Sequence, residues 1–66
     1  MKITINGESR DLDGTITLVE LLEREVESTR GTAAAVDGEV VPRAEWATFV
    51  LRDGQSVELL TAVQGG

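Results

Sequence analysis

The stretch that decides the fold is the sequence TLVELLEREVE at residues 17–27. Thr17 is followed three residues later by Glu20, which is a capping box: hydroxyl and carboxylate each satisfy a backbone amide at a helix start. Apolar residues then recur at three- and four-residue spacing, with charged residues between them. The pattern predicts one amphipathic helix from about Leu18 to Glu27, with one face packed and the other in water.

Short strand patterns flank the helix and are separated by Asn-Gly and Asp-Gly turns, the strongest local signals of a hairpin. They cover residues 2–5, 8–12, 33–36, 39–41 and 56–63. Because a lone helix of about ten residues is marginal in water, its apolar face must lie on a sheet built from these strands. We therefore predict an α+β roll of element order β-β-α-β-β-β, with a mixed sheet of four to five strands packed on one helix.

The alternation of apolar and polar residues also predicts which face each strand residue occupies, provided that the first and last strands pair in the middle of the sheet. Leu60 and Ala62 then point to the face that no second helix covers. Residues 43–50 are expected to form a structured connection, with Trp46 packing as a lid on the core. The predicted core consists of Ile3, Ile5, Val57 and Leu59 beneath Leu18, Leu22 and Val26.

Length and composition limit the classes of protein that fit. A chain of 66 residues is too short for two cores, so residues 1–66 are expected to form a single domain. A net charge of −6 repels phosphate backbones, and no apolar run approaches the roughly 20 residues of a membrane helix. The N-terminus lacks the pattern of a signal peptide. We expect a cytoplasmic domain that binds neither nucleic acid nor membrane.

The sequence offers few groups for catalysis or metal binding. It contains no cysteine, histidine or tyrosine, so the thiolate nucleophile, the imidazole acid–base group and the commonest metal ligand are missing. We therefore expect no catalytic residue, no metal site and no enzymatic activity of its own.

The sequence ends with two glycines directly after the strongest strand pattern. Glycine lacks Cβ, so a backbone segment built from it fits a narrow channel and can straighten. The functional interpretation is that Gln64, Gly65 and Gly66 form a flexible tail that carries the Gly66 carboxylate into the active site of another protein. A carboxylate becomes an acylating agent once a nucleotide phosphate supplies its leaving group, and a sulfur nucleophile or a lysine amine can then accept the acyl group. A frayed chain end is the alternative.

These residues resemble the ThiS family of sulfur carriers, which has the ubiquitin-like β-grasp fold. The resemblance spans the whole chain. It is carried by KITING at residues 2–7, VPRAEWA at 41–47, DGQ at 53–55 and the terminal Gly65-Gly66.

The resemblance implies that a ThiF-like adenylating enzyme activates Gly66 with MgATP, which is used through that enzyme and is not bound stably by this chain. A sulfur donor, a cysteine desulfurase or an equivalent, then gives the thiocarboxylate, and a ThiG-like thiazole synthase takes the sulfur for thiamine biosynthesis. In that role the chain is a protein cosubstrate. The candidate docking residues beside the tail are Leu60, Ala62 and Arg43.

Other functions share the Gly-Gly ending. Sulfur carriers for molybdopterin or tRNA thiolation, ubiquitin-like protein modifiers and plain interaction modules are the alternatives. The Val41-Pro42-Arg43 sequence with Trp46, together with the absence of paired prolines before the terminal glycines, resembles the thiazole branch and favours it.

Overall fold

The computed structural model describes residues 1–61, in which five strands and one helix form in the predicted order. Positions 62–66 lie outside the described residues. No helix within the described part is long and apolar enough to cross a membrane. The elements are β1 (Lys2–Ile5), β2 (Glu8–Asp11), α1 (Leu18–Glu25), β3 (Thr32–Val36), β4 (Glu39–Val41), a 3₁₀ turn at Arg43–Glu45 and β5 (Ser56–Thr61).

The five strands form one mixed sheet in the order β2-β1-β5-β3-β4. β1 and β5 run parallel, with Thr4 opposite Ser56 and Ile5 opposite Val57. The other neighbours are antiparallel. The last strand therefore lies in the centre of the sheet beside the first, which is the pairing that the predicted strand faces assumed.

The two hairpins turn through left-handed backbone at the predicted positions. Asn6 has φ 49° and Gly7 has φ 85°, while Asp37 has φ 51° and Gly38 has φ 86°. Positive φ at both central residues is the requirement of a type I′ turn, which matches the twist of the flanking strands. Asparagine, aspartate and glycine tolerate this conformation, so the local sequence alone determines where these hairpins reverse.

The helix begins as predicted and ends earlier than predicted. Glu20 N–H donates to the Thr17 hydroxyl at 3.3 Å, and the Glu20 carboxylate accepts from Thr17 N–H at 2.9 Å, so both halves of the capping box are present. The prediction that the helix runs to Glu27 is wrong, because the β-branched Val26 already adopts an extended conformation (φ −128°, ψ 149°). An ion pair of 3.2 Å between Arg10 on β2 and Glu25 ties the last turn to the sheet.

The core lies between α1 and the inner face of the sheet. Ile3, Ile5, Leu18, Leu22 and Val57 are buried as predicted. The placement of Val26 and Leu59 in the core was only partly right, because both side chains are half-buried. Leu21, from the apolar stripe of the helix, is also buried, and the structure adds buried residues that were not in the predicted core, which are Ile16, Ala34, Val36, Val41 and Leu51.

Residues 43–51 close the end of the core, which confirms the predicted structured connection. Trp46 is 3% exposed, and its indole N–H donates to the Val41 carbonyl at 2.8 Å. The segment then pairs with the entry to the helix through a hydrogen bond of 2.9 Å from Leu51 N–H to the Ile16 carbonyl. Trp46 is thus a packing residue, as expected.

The capping box makes the stability of the fold depend on pH. Hydrogen bonds from the Thr17 backbone N–H and then from its hydroxyl hold the pKa of Glu20 below its usual range. Because the folded pKa is the lower one, ionised Glu20 stabilises the fold above its usual pKa of 4.5, and this contribution is lost as the pH falls through the folded value. We expect Glu20→Gln to unfold at lower urea concentration than the wild type at neutral pH, and the difference to vanish in acid.

Glu23→Gln is the matched control, since it removes one negative charge from the same helix without touching the cap. A stability difference between wild type and Glu20→Gln that stays constant from neutral to acid pH would contradict the assignment.

Candidate functional site

The candidate site lies at the carboxyl end of β5, because that strand leads toward Gly66. β5 pairs with β1 at Ser56 and Val57 and with β3 from Val57 to Thr61, so neighbouring strands hold it from its first residue to its last described one. Thr61 is its last residue in the described part. The predicted tail residues Gln64, Gly65 and Gly66, and the predicted docking residue Ala62, lie outside the described residues, and their roles stay predictions.

The side chains of β5 alternate between the two faces of the sheet. Val57 is fully buried under α1 and Leu59 is half-buried on the same face. Leu60 is 73% exposed on the opposite face, where it lies across from Ala33 of β3. This confirms the predicted outward direction of Leu60.

Leu60 forms one wall of a shallow apolar depression on this outer face. Val40 of β4, which is 75% exposed, forms the other wall, and the short side chains of Ala33 and Ala35 on the intervening strand leave the space between them. The depression has a volume of about 230 Å³, and we call it the outer groove. Its lining residues are Ala33, Ala34, Ala35, Gly38, Val40, Glu58 and Leu60.

Sequence reasoning identified Leu60 in this groove and missed Val40, Ala33 and Ala35. The signal was present in the alternation of β3 and β4, which places these three side chains on one face. To predict the groove from this alternation, one must also know the strand registers, which place Ala33 opposite Leu60 and Ala35 opposite Val40. Those registers follow from packing over the whole sheet and cannot be counted from a short alanine run.

Arg43, the third predicted docking residue, has different surroundings. Its guanidinium donates to the Thr29 carbonyl and lies 4.9 Å from the centroid of the Trp46 ring, a cation–π distance. It does not line the outer groove. Arg43 thus joins the 3₁₀ turn to the connection between α1 and β3, and a part in docking stays a prediction.

The chemistry that the outer groove can support is binding of an apolar surface. Glu58 is its ionisable side chain, and the other lining residues are aliphatic or glycine. Among residues 1–61, no three acidic side chains come together in an arrangement that could hold a metal ion.

The chain is similar along its whole length to known proteins. The model of the ThiS family matches residues 3–66. The chain is 32% identical over 66 residues to the sulfur carrier protein ThiS of Escherichia coli strain K12, and the match covers both proteins completely. It is also 32% identical over 66 residues to a thiazole synthase of Paramagnetospirillum magneticum, of which the match covers 20%.

The fold agrees with these sequence matches. The crystal structure of the thiamine biosynthesis protein ThiS from Geobacter metallireducens is similar with a TM-score of 0.85 at 30% identity, and all of both chains is covered. The predicted β-grasp fold and the resemblance seen in the sequence are thereby confirmed. This chain belongs to the ThiS family.

Proposed function

We propose that this chain is a sulfur carrier protein of thiamine biosynthesis that acts through the carboxylate of Gly66. The observation that carries the proposal is the match over the full length of both chains to a protein named sulfur carrier protein ThiS. A carrier of this kind is a protein cosubstrate and not a catalyst.

The reaction needs no side chain of this domain. With MgATP held by a ThiF-like activating enzyme, a carboxylate oxygen of Gly66 attacks the α-phosphorus and pyrophosphate leaves, so that an acyl-adenylate forms. A thiol reduces the persulfide carried by a cysteine desulfurase or an equivalent donor, which leaves a disulfide and releases sulfide, and the sulfide then attacks the carbonyl carbon. The C–O bond to the phosphate breaks, AMP leaves with the electron pair, and a thiocarboxylate stays on Gly66.

A thiazole synthase is the proposed acceptor of the sulfur. The relative in Paramagnetospirillum magneticum supports this assignment, because a region similar to this whole chain lies within a polypeptide named thiazole synthase. Joining two proteins in one chain raises their effective concentration for each other, which is useful when one is the cosubstrate of the other.

The outer groove is the proposed docking surface for the activating enzyme. It lies on the strand that leads toward Gly66, and its walls, Leu60 and Val40, expose most of their apolar surface. Covering two such side chains on association removes apolar area from water and positions the domain at the same time. Ala62, the other docking residue predicted on this strand, lies outside the described residues, and its part in docking stays a prediction.

The reaction itself is tested by intact-protein mass after incubation with MgATP, a ThiF-like activating enzyme and a sulfur donor. We expect an adenylyl adduct and then a mass increase that corresponds to replacement of oxygen by sulfur. Deletion of Gly66 is expected to abolish both changes. It should leave the free energy of unfolding within about 0.5 kcal/mol, because the buried core residues lie between Ile3 and Val57.

Absence of both mass changes in the wild type would contradict the proposal. Transfer of the sulfur to a molybdopterin precursor or a tRNA, in place of thiazole synthase, would assign the chain to another sulfur pathway. Isopeptide-linked conjugates would identify a protein modifier.

Leu60→Glu tests the docking surface. The substitution places a charge in the outer groove, so we expect the KM of the activating enzyme for the carrier to rise by about tenfold, as for loss of an interface anchor. The free energy of unfolding should change by no more than about 1 kcal/mol, because the side chain is 73% exposed. Steady-state kinetics and urea unfolding measure the two effects.

Leu59→Glu is the matched control, because it introduces the same charge one residue earlier on the half-buried inner face. It should destabilise the domain. An unchanged KM for folded Leu60→Glu would place docking elsewhere, and unfolding by Leu60→Glu would show that the outer groove is needed for the fold.

A further inference from the structure

The side chain of Asn6 extends the pairing of β1 with β5 beyond the end of β1. The backbone N–H of Asn6 makes the last main-chain bond between them, to the Val57 carbonyl at 2.9 Å. The Asn6 side chain then bonds to both backbone groups of Leu59. Its Oδ1 accepts from Leu59 N–H at 2.8 Å, and its Nδ2 donates to the Leu59 carbonyl at 3.3 Å.

The amide of Asn6 therefore stands in for a further peptide group of β1. The left-handed backbone of Asn6 (φ 49°) turns the main chain away into the first hairpin, so no further β1 backbone can reach β5. A side-chain carboxamide carries the same donor and acceptor as a peptide group. Without it, the Leu59 backbone groups that face β1 would have only water as a partner, and this part of the strand would be held by β3 alone.

Asp37 provides a comparison at the other end of the same strand. It occupies the equivalent position of the second hairpin, with φ 51°, and its carboxylate accepts from Ser56 N–H at 2.9 Å. Asp37 thus holds the first residue of β5, far along the strand from the exit toward Gly66, whereas Asn6 holds Leu59, two residues before the last described position.

We propose that Asn6 is a positioning residue for the proposed sulfur-carrier reaction. By holding Leu59 from the β1 side, it fixes the direction in which β5 presents the segment that carries Gly66. The inference rests on the proposed function, but it concerns a residue that takes no part in the chemistry and acts only through β5.

The expected consequence is an effect on binding and not on the chemical step. A strand end that is already aligned loses less conformational freedom when the following residues enter the partner, so alignment before binding lowers KM. Once the complex has formed, the partner itself holds the segment, and kcat at saturation is unaffected. A residue with only a structural role would change stability and leave KM as it is, provided that the chain is folded.

The test compares Asn6→Gly, Asn6→Asp and the wild type as substrates of a ThiF-like activating enzyme with MgATP. Glycine keeps the left-handed turn and removes the amide, while aspartate keeps the acceptor for Leu59 N–H and loses the donor. We expect Asn6→Gly to raise KM by about two- to fivefold, as for loss of one or two exposed hydrogen bonds, with kcat unchanged. The KM of Asn6→Asp should lie between those of Asn6→Gly and the wild type. Amide hydrogen exchange at Leu59 should be faster in Asn6→Gly than in the wild type.

Asp37→Gly is the matched control, because it removes a side-chain bond to the same strand from the same type of turn. It should lower the free energy of unfolding without raising KM, when measured at a salt concentration that screens the lost charge.

Equal KM values for wild type and folded Asn6→Gly, or an equal rise in KM for Asp37→Gly, would overturn the proposal. If Asn6→Gly does not fold, the test rests on Asn6→Asp, and a KM of Asn6→Asp equal to that of the wild type would overturn the proposal. A wild-type chain that is not adenylated at all overturns the proposed function and this inference together.

Discussion

The parallel pairing of β1 with β5 is the constraint on which the rest of the domain depends. It joins Thr4 to Ser56 and Ile5 to Val57, residues near opposite ends of the chain, in the middle of the sheet. Each half of the chain contributes one hairpin, and an isolated hairpin is marginal in water. Only when the two halves are joined side by side does the sheet become wide enough to cover the apolar stripe of α1. Ile5 and Val57 are buried for this reason, and so are Leu18 and Leu22 above them.

The two faces of the same strand differ in their surroundings: one packs in the core, and the other forms part of the proposed docking surface. Val57 points into the core, where its apolar surface contributes to folding, whereas Leu60 points outward into the outer groove. Because successive side chains of a strand point in opposite directions, core packing and the proposed docking involve separate residues of one short segment. The small side chains of Ala33 and Ala35 make the outer face concave, so Leu60 and Val40 stand as walls of a surface that a partner can cover.

Side chains of turn residues complete the hydrogen bonding of β5 where neighbouring strands stop. Asp37 holds Ser56 at the beginning and Asn6 holds Leu59 near the end. Both residues were recognised in the sequence for their tolerance of left-handed backbone, and neither bond to β5 was anticipated. An Asn-Gly or Asp-Gly pair predicts a turn because the backbone angle φ that the turn needs depends on the local residues. Which distant strand the side chain then reaches depends on how the whole sheet is assembled.

The sequence by itself determined the start of the helix, the two hairpin turns, the element order and the family resemblance. The capping box of Thr17 and Glu20 and the turn conformations of Asn6 and Asp37 are decided by residues within a few positions of each other. Only the tertiary structure decided the burial of Ile16 and Leu51 and the surroundings of Arg43. It also decided that Leu60 and Val40 line the same groove. These features depend on strand register and on contacts between segments far apart in the chain, which are selected by the packing of the complete core and leave no local pattern of their own.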